Sequence, residues 1–340
     1  IRPHVMLLSQ DGQPKAMLIG RVEETNLQMR LGYKTVFSPE VRLIAVVYGG
    51  FLGEQSCDMA NAFISELMEC LGRGEAEAVL FNQIKMDSEM FESLGRIPGF
   101  LSRDRGAHKN LHWKIPLPSS LEKIYERMSG KRRHELRRFQ RALEKAYPGK
   151  VVFRRFERTE DVDELCRQAE AVASKTYQRG MGVGFVTDDM TRDRMALAAE
   201  RGWLRGYILY LNDDPCSFWI GTLYKDIFYL DATGYDPAFK KYEIGTILLL
   251  RLLEDACSAN AKEIDFGFGD APYKQRFGSY CWDEATLYLF APTLRGFALN
   301  IVRSICILLS RRAASFLGNT GNLARIKRRW RDRLAVQARR

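Results

Sequence analysis

The segment Ile264-Asp265-Phe266-Gly267-Phe268-Gly269-Asp270-Ala271-Pro272-Tyr273-Lys274 constrains the fold of this chain more than any other stretch. It opens as a short buried strand and runs into glycines, an acid, a proline and a Tyr-Lys pair. A strand that ends in glycines exposes backbone amides at its tip, where the polar residues just beyond it can converge on one ligand. Upstream lies an apolar helix, residues 244–257, entered through Lys240-Lys241-Tyr242-Glu243 and a glycine, Gly245. The order is strand, basic turn, helix, strand, Gly-Asp, Tyr-Lys.

The two halves of the chain share an element order. In the first, apolar runs at 5–8 and 16–19 flank Asp11-Gly12-Gln13-Pro14, a hairpin signal. A strand over 41–48 closes on Gly49-Gly50, and a helix over 57–71 puts Met59, Phe63, Leu67 and Cys70 on one face. A strand at 79–81, a short helix at 88–94 and a strand at 111–115 follow. The second half begins with two helices, 161–176 and 188–201, whose acidic starts suit the helix dipole. Strands at 204–211 and 217–224 then flank Asn212-Asp213-Asp214-Pro215. A strand at 227–232 leads through Tyr235-Asp236-Pro237 to the apolar helix and the strand 264–268, and a last strand covers 285–290. The shared order predicts a duplicated domain.

Between the halves, residues 120–146 read as mostly helical with a break at Gly130. Leu136, Phe139 and Leu143 recur at helical spacing and should face a core, so Arg133, Arg137, Arg138 and Arg141 project from other faces. Residues 131–145 hold seven Lys/Arg against Glu135 and Glu144.

A length of 340 residues accommodates two domains, and 46% hydrophobic with 28% charged residues is the composition of a folded chain. The seven cysteines form no C-x-x-C pair, which argues for reduced thiols in a cytoplasmic setting and against a zinc site. The four histidines form no H-E-x-x-H pattern, so no metal is expected. No signal peptide is recognisable. The net charge of +10 belongs to the tail: residues 294–340 hold 12 of the 52 Lys/Arg and one of the 42 acids, leaving 40 against 41 elsewhere. Residues 297–309 are a mainly apolar stretch, too short to span a bilayer by itself. After Gly318-Asn319-Thr320-Gly321 a basic helix is expected over 325–340, with Ile326, Trp330 and Leu334 on one face.

The chain resembles the GNAT superfamily over about residues 1–290. In particular it is similar to the double-domain acetyltransferases of the CelD/BcsL type, relatives of the Fem aminoacyltransferases. The carriers are Gly130-Lys131-Arg132-Arg133-His134-Glu135-Leu136-Arg137-Arg138, the Tyr235-Asp236-Pro237 turn, Gly245, and Asp265-Phe266-Gly267 through Gly269-Asp270 to Tyr273-Lys274. The family's loop pattern Arg/Gln-x-x-Gly-x-Gly/Ala is met by Lys241-Tyr242-Glu243-Ile244-Gly245-Thr246, which keeps only one glycine. The resemblance implies an α/β (α+β) fold of two tandem GNAT-like domains, each a mixed, mainly antiparallel sheet flanked by helices. It divides the chain into an N-terminal, structural domain 1–118, a basic connector 119–150, a catalytic domain 151–293 and a basic tail 294–340.

The implied reaction is N-acyl transfer from acetyl-CoA, a longer acyl-CoA or an acyl carrier protein to an amine, such as an amino sugar or a cell-envelope precursor. A helix N-terminus with Gly245 and Thr246, approached by Lys240 and Lys241, suits a diphosphate; the alternative is that Gly245 serves packing and the lysines are solvated. Acyl transfer also needs donors for the thioester oxygen, a base for the ammonium and an acid for the thiolate. Asp270 and Asp231 are the candidate bases, Tyr273 the candidate acid, and Lys274 a partner for an acidic group. Asp270 alternatively caps the short helix, Asp231 satisfies a turn, and Asp265 is either a site residue or a buried anchor. Arg133, Arg137, Arg138 and Tyr235 are expected to hold the acceptor, since guanidinium groups pair with phosphate or carboxylate. Two rival readings stand beside this one: aminoacyl transfer from charged tRNA, and a silent binding subunit of a polysaccharide-synthesis complex. The tail, residues 297–340, is read as a contact for the inner membrane surface, with tRNA as the less favoured partner.

Overall fold

The computed structural model describes residues 1–32, 34–176, 179 and 184–319; the basic segment expected over 325–340 lies outside them. Along the chain the strands are β1 (Arg2–Gln10), β2 (Gln13–Asn26), the small hairpin β3 (Met29–Leu31) and β4 (Lys34–Phe37), and β5 (Glu40–Gly53). Helix α1 (Cys57–Gly72), β6 (Ala78–Lys85), α2 (Glu89–Arg96), β7 (His108–Pro116), α3 (Leu121–Glu126) and α4 (Gly130–Ala146) follow. Then come β8 (Val151–Phe156), α5 (Val162–Ala173), α6 (Asp189–Glu200), β9 (Leu204–Leu211), β10 (Asp214–Tyr224) and β11 (Ile227–Tyr235). The last elements are α7 (Ile244–Ser258), β12 (Glu263–Phe268), α8 (Pro272–Phe277), β13 (Tyr280–Phe290) and α9 (Leu294–Asn319).

Two compact units emerge: Ile1–His112 together with the described chain from Trp282 onward, and Trp113–Cys281. The linear division expected at residues 118 and 293 is therefore replaced by an interleaved one. The chain passes between units inside β7 and again inside β13, so the strand expected to end the second domain belongs almost wholly to the first unit. Single-strand pairing partners distant in sequence cannot be read from local periodicity.

In the first unit the strand order is β1-β2-β5-β6-β13. Helices α1 and α2 cover one face, where Phe63, Ile64 and Leu67 pack on Ile44, Val79 and Phe81. The other face is covered by α9 and the β3–β4 hairpin, through Met29, Leu43, Phe290, Leu299 and Cys306. Strands β5 and β6 are parallel, paired from Leu43–Ala78 to Val46–Phe81, while β5 continues to Gly53.

In the second unit the order is β7-β12-β11-β10-β9-β8. Helices α5 and α6 pack on one face with Phe156, Leu165, Met195 and Phe218. Helix α7 packs on the other through Ile247, Leu248, Leu252, Trp219 and Ile264. Because α3 and α4 cover its outer side, α7 is apolar nearly all round, as a buried helix must be. The break expected at Gly130 is present: α3 and α4 are separate helices and Gly130 opens the second, where the Ser129 hydroxyl accepts from Arg132 N. Leu136 and Leu143 are buried as their spacing predicts, with Phe139 packed beside them.

Strands β11 and β12, joined by α7, run parallel but pair only from Ile227–Glu263 to Tyr229–Asp265. Just beyond, the register of β11 on β10 slips: Gly221 faces Leu230 and Ile220 faces Ala232, leaving Asp231 as the extra residue of a bulge. A bulge bends its strand and strengthens its twist, and here it turns β11 away from β12. The two strand ends splay, and among the described residues the backbone of β11 beyond Tyr229 has no ladder partner on that side.

Candidate acyl-transfer site

The opening between β11 and β12 is where residues 264–274 arrive. Asp265 sits on β12 with 6% of its surface exposed. Its Oδ1 accepts from Gly267 N at 2.8 Å and its Oδ2 lies 3.4 Å from Lys114 Nζ. Lys114 also bonds Glu263 at 2.6 Å, and the Tyr280 hydroxyl donates to the same carboxylate. Burial works against the Lys114 ammonium, but the Glu263 bond and the Asp265 charge outweigh it and hold its pKa above the ordinary value. Asp265 thus ties the turn at Gly267 to Lys114 of β7. Lys114 and Glu263, on separate strands with no motif around them, were not legible as its partners.

Gly267 and Gly269 both take positive φ, 68° and 90°, a backbone that glycine adopts without steric penalty. The carbonyls of Gly267 and Phe268 receive Lys274 Nζ at 3.2 and 2.7 Å. Lys274 is buried, and desolvation brings its pKa down to about 8, with Asp265 and Asp270 opposing. Lys274 accordingly ties α8 back onto the strand end.

Tyr273 packs edge-on against Trp219 at 5.1 Å and Phe266 at 5.7 Å. Burial raises its phenol well above the ordinary range, so it stays protonated at neutral pH. Trp219 Nε1 in turn donates to Gly245 O at 3.0 Å. The start of α7, the middle of β10 and the Tyr-Lys pair are therefore one neighbourhood. Glu243 makes a second tie, its Oε2 accepting from Arg276 Nη1 of α8 at 3.4 Å and from Thr246 Oγ1 at 3.1 Å.

The entry to α7 is a 3₁₀ turn, Pro237–Tyr242, capped by Asp236, whose carboxylate accepts from Ala238 N at 2.9 Å and pairs with Lys175 at 3.1 Å. Glu243 follows with φ 53°, in the left-handed region. That conformation is costly for a side-chain-bearing residue, and it places a carboxylate at the helix head where a glycine would leave only amides. A Cβ added at Gly245 would meet Tyr235 Cδ1 at an ordinary 3.5 Å, so packing alone does not impose this glycine. Lys240 is exposed, and Lys241 Nζ lies 4.7 Å over the Tyr242 ring.

Asp231 bonds Thr222 Oγ1 at 3.0 Å and faces Arg194 of α6 at 3.7 Å; burial raises its carboxyl pKa against both partners. Asp270 is exposed, both oxygens accepting from Gln275 Nε2 at 2.9 and 2.8 Å, and the cap position of α8 is Ala271. Arg133 donates to Tyr125 O at 3.3 Å, Arg137 is exposed, and Arg138 lies 5.3 Å over Phe139. Arg132, beside them on α4, is partly buried. It bonds Glu135 at 2.6 Å, and Glu135 is held below the usual carboxylate range by Arg132, with Arg276 and Arg138 adding their charge.

The first unit holds a buried cluster that sequence reading passed over. His112 Nδ1 lies 3.0 Å from Glu284 Oε1, and each side chain is at most 3% exposed. Trp282 Nε1 donates to the same oxygen at 2.9 Å, and the Tyr48 hydroxyl at 3.3 Å. Glu284 Oε2 is buried with no hydrogen-bond partner among the described residues. Among those residues no group of three or more His, Cys, Asp or Glu is placed to hold a metal ion.

A βαβ crossover whose strands splay, with a helix head and a tyrosine at the opening, defines a GNAT-type acyltransferase fold. Residues 130–275, from α4 to α8, match the family model described as an acetyltransferase (GNAT) domain. Over those residues the chain is matched by a GNAT acetyltransferase domain, and it is an acyltransferase. No curated protein sequence matches it. Among solved structures it is similar to the C-terminal domain of a putative lysylphosphatidylglycerol synthetase from Agrobacterium fabrum. That match has 11% identity and a TM-score of 0.51, covering 89% of this chain and 88% of that one. It is also similar to FemX, with 11% identity and a TM-score of 0.52, covering 83% of this chain and 87% of the other. At such identities the likeness concerns the fold.

Proposed function

We propose that the second unit transfers an acetyl or longer acyl group from acyl-CoA to an amine on an amino sugar or cell-envelope precursor, as CelD/BcsL-type enzymes are expected to do. The observation that carries this reading is the splay of β11 from β12 beyond Tyr229 and Asp265, with Tyr273 tied to the head of α7 through Trp219. The donor's diphosphate lies at the first turn of α7, near Arg276 and Arg132. The thioester lies along the unpaired edge of β11, whose amides face its oxygen. The amine nitrogen attacks the thioester carbon and the C–S bond breaks. The nitrogen gives up its proton to Asp270 or through water, and the Tyr273 phenol protonates the departing sulfur.

The experiment is acyl transfer by the purified protein with acetyl-CoA and longer acyl-CoAs. Tyr273→Phe should lower kcat by about 10²–10⁴-fold, with the fold intact because the ring packing is kept. Asp270→Asn should lower it too. Activity equal to the parent in either variant removes that residue from the mechanism.

One observation favours a second donor, an aminoacyl-tRNA. The Glu243 carboxylate occupies the helix head, where an anion would otherwise be welcomed. Transfer of an aminoacyl group from charged tRNA, with no response to acyl-CoA, would establish that reading in place of the first.

A further inference from the structure

We propose that α9 and the β3–β4 hairpin form a docking surface for a bilayer containing anionic lipid. Helix α9 is fastened to the first unit by one face only. Asn300 Nδ2 bonds the carbonyls of Leu101 and Arg103 at 2.7 Å each, Arg303 pairs with the buried Asp104, and Leu299 and Cys306 enter the core. Ser310 Oγ then receives Gly32 N at 2.9 Å, which fixes the hairpin against the far end of the helix.

The opposite face carries an apolar stripe that stands exposed among the described residues. Ile301, Ile305 and Leu308 recur at helical spacing and are 46%, 51% and 52% exposed, with Val302 and Leu309 at their side. The hairpin adds Val36 and Phe37, 46% and 51% exposed. Single exposed apolar residues are ordinary, but a contiguous patch marks an interaction surface.

Charge selects the occupant. Arg295 flanks the start of the stripe and exposed Arg311 and Arg312 its end, while Lys34 stands on the hairpin. Residues 294–340 carry 12 Lys/Arg against Asp332 alone. An apolar face bordered by arginines on a helix lying along the surface fits the boundary between headgroups and acyl chains. A second copy of this chain would instead bring one cationic border against another. No helix among the described residues is long and apolar enough to cross a membrane, so α9 would lie on the bilayer and not span it.

The test is sedimentation of the full chain with vesicles of phosphatidylcholine alone, or of phosphatidylcholine with phosphatidylglycerol. The parent should pellet with the anionic vesicles, less so as salt is raised, and remain soluble with the neutral ones. Ile305→Asp with Leu308→Asp, both at exposed positions, should weaken the binding by about tenfold or more, and Arg311→Glu with Arg312→Glu likewise. Circular dichroism melting checks that the variants are folded. Absence of binding to anionic vesicles overturns the proposal. So does binding that survives the Ile305/Leu308 change, which would assign it to the basic segment alone. A parent that sediments as a dimer, becomes a monomer in that variant and binds vesicles equally well in both would assign the stripe to a second copy.

Discussion

Lys274 is 6% exposed, yet it keeps an ionisable amine beside the strand end, where a methionine would fill the space without charge. Its pKa is about 8 in the folded chain against an ordinary 10.5. Between these values the unfolded chain binds the proton and the folded chain does not, so stability contributed by this site rises with pH from about 8 to about 10.5. Below that window the folded protein carries a desolvated charge. Urea denaturation of parent and Lys274→Met across the range should show the parent gaining, relative to the variant, on the order of 2–3 kcal/mol. A flat difference would mean that Lys274 titrates normally. Glu243 is the other residue under tension. Glu243→Gly removes a left-handed side chain worth roughly 1 kcal/mol of strain but loosens the unfolded chain by a similar amount. Stability should stay within about 1 kcal/mol, while acyl-CoA binds about two- to fivefold more tightly without the carboxylate at the helix head. Calorimetric titration decides it, and unchanged affinity would place the diphosphate elsewhere.

The elements of the second unit were largely legible because each carries a local signal. The Asn212-Asp213 turn takes positive φ at both residues, as a two-residue hairpin requires. The apolar run 244–257 is the observed α7 to within a residue. The bulge was not legible: Asp231 differs from its neighbours only in being the residue left over when Gly221 must sit against Leu230. A Cβ at Gly221 would lie 2.4 Å from Tyr229 O and 2.5 Å from the Phe228 ring. Gly221→Ala must therefore push β10 from β11 where the opening begins. The cost should be about 1–3 kcal/mol by urea denaturation, with a larger proportional loss of transfer activity. An alanine variant as stable and active as the parent would show that the bulge can shift without consequence. Also hidden were the interleaving of β7 and β13 and the hairpin at 29–37, whose short strands leave no periodic pattern. Of the candidate site, the Gly-Asp and Tyr-Lys residues stand out in the sequence by their local pattern. The pairing of Asp265 with Lys114 depends on strands distant in sequence.

At the scale of the whole molecule, the two units share a parallel strand pair crossed over by a helix: β5, α1, β6 in one and β11, α7, β12 in the other. Only the second continues into Gly-Asp and Tyr-Lys, and only its splay has a tyrosine tied to the helix head. Donor binding should therefore leave a mark on one unit alone. At 100 times its dissociation constant a donor adds about 2.7 kcal/mol to whatever it binds, a large share of the 5–15 kcal/mol typical of a domain. Opening of the bound unit then becomes about a hundredfold rarer. Hydrogen exchange read by mass spectrometry should show acyl-CoA slowing exchange in the first turn of α7, in β11 beyond Tyr229 and in residues 265–276. Exchange in β5 and β6 should be unchanged. The buried His112–Glu284 cluster makes this more than a formality, because it gives the first unit ionisable groups of its own. Protection appearing around Tyr48 and Gln83, and absent from α7, would move the donor to the first unit and leave the Tyr-Lys pair with a purely structural part.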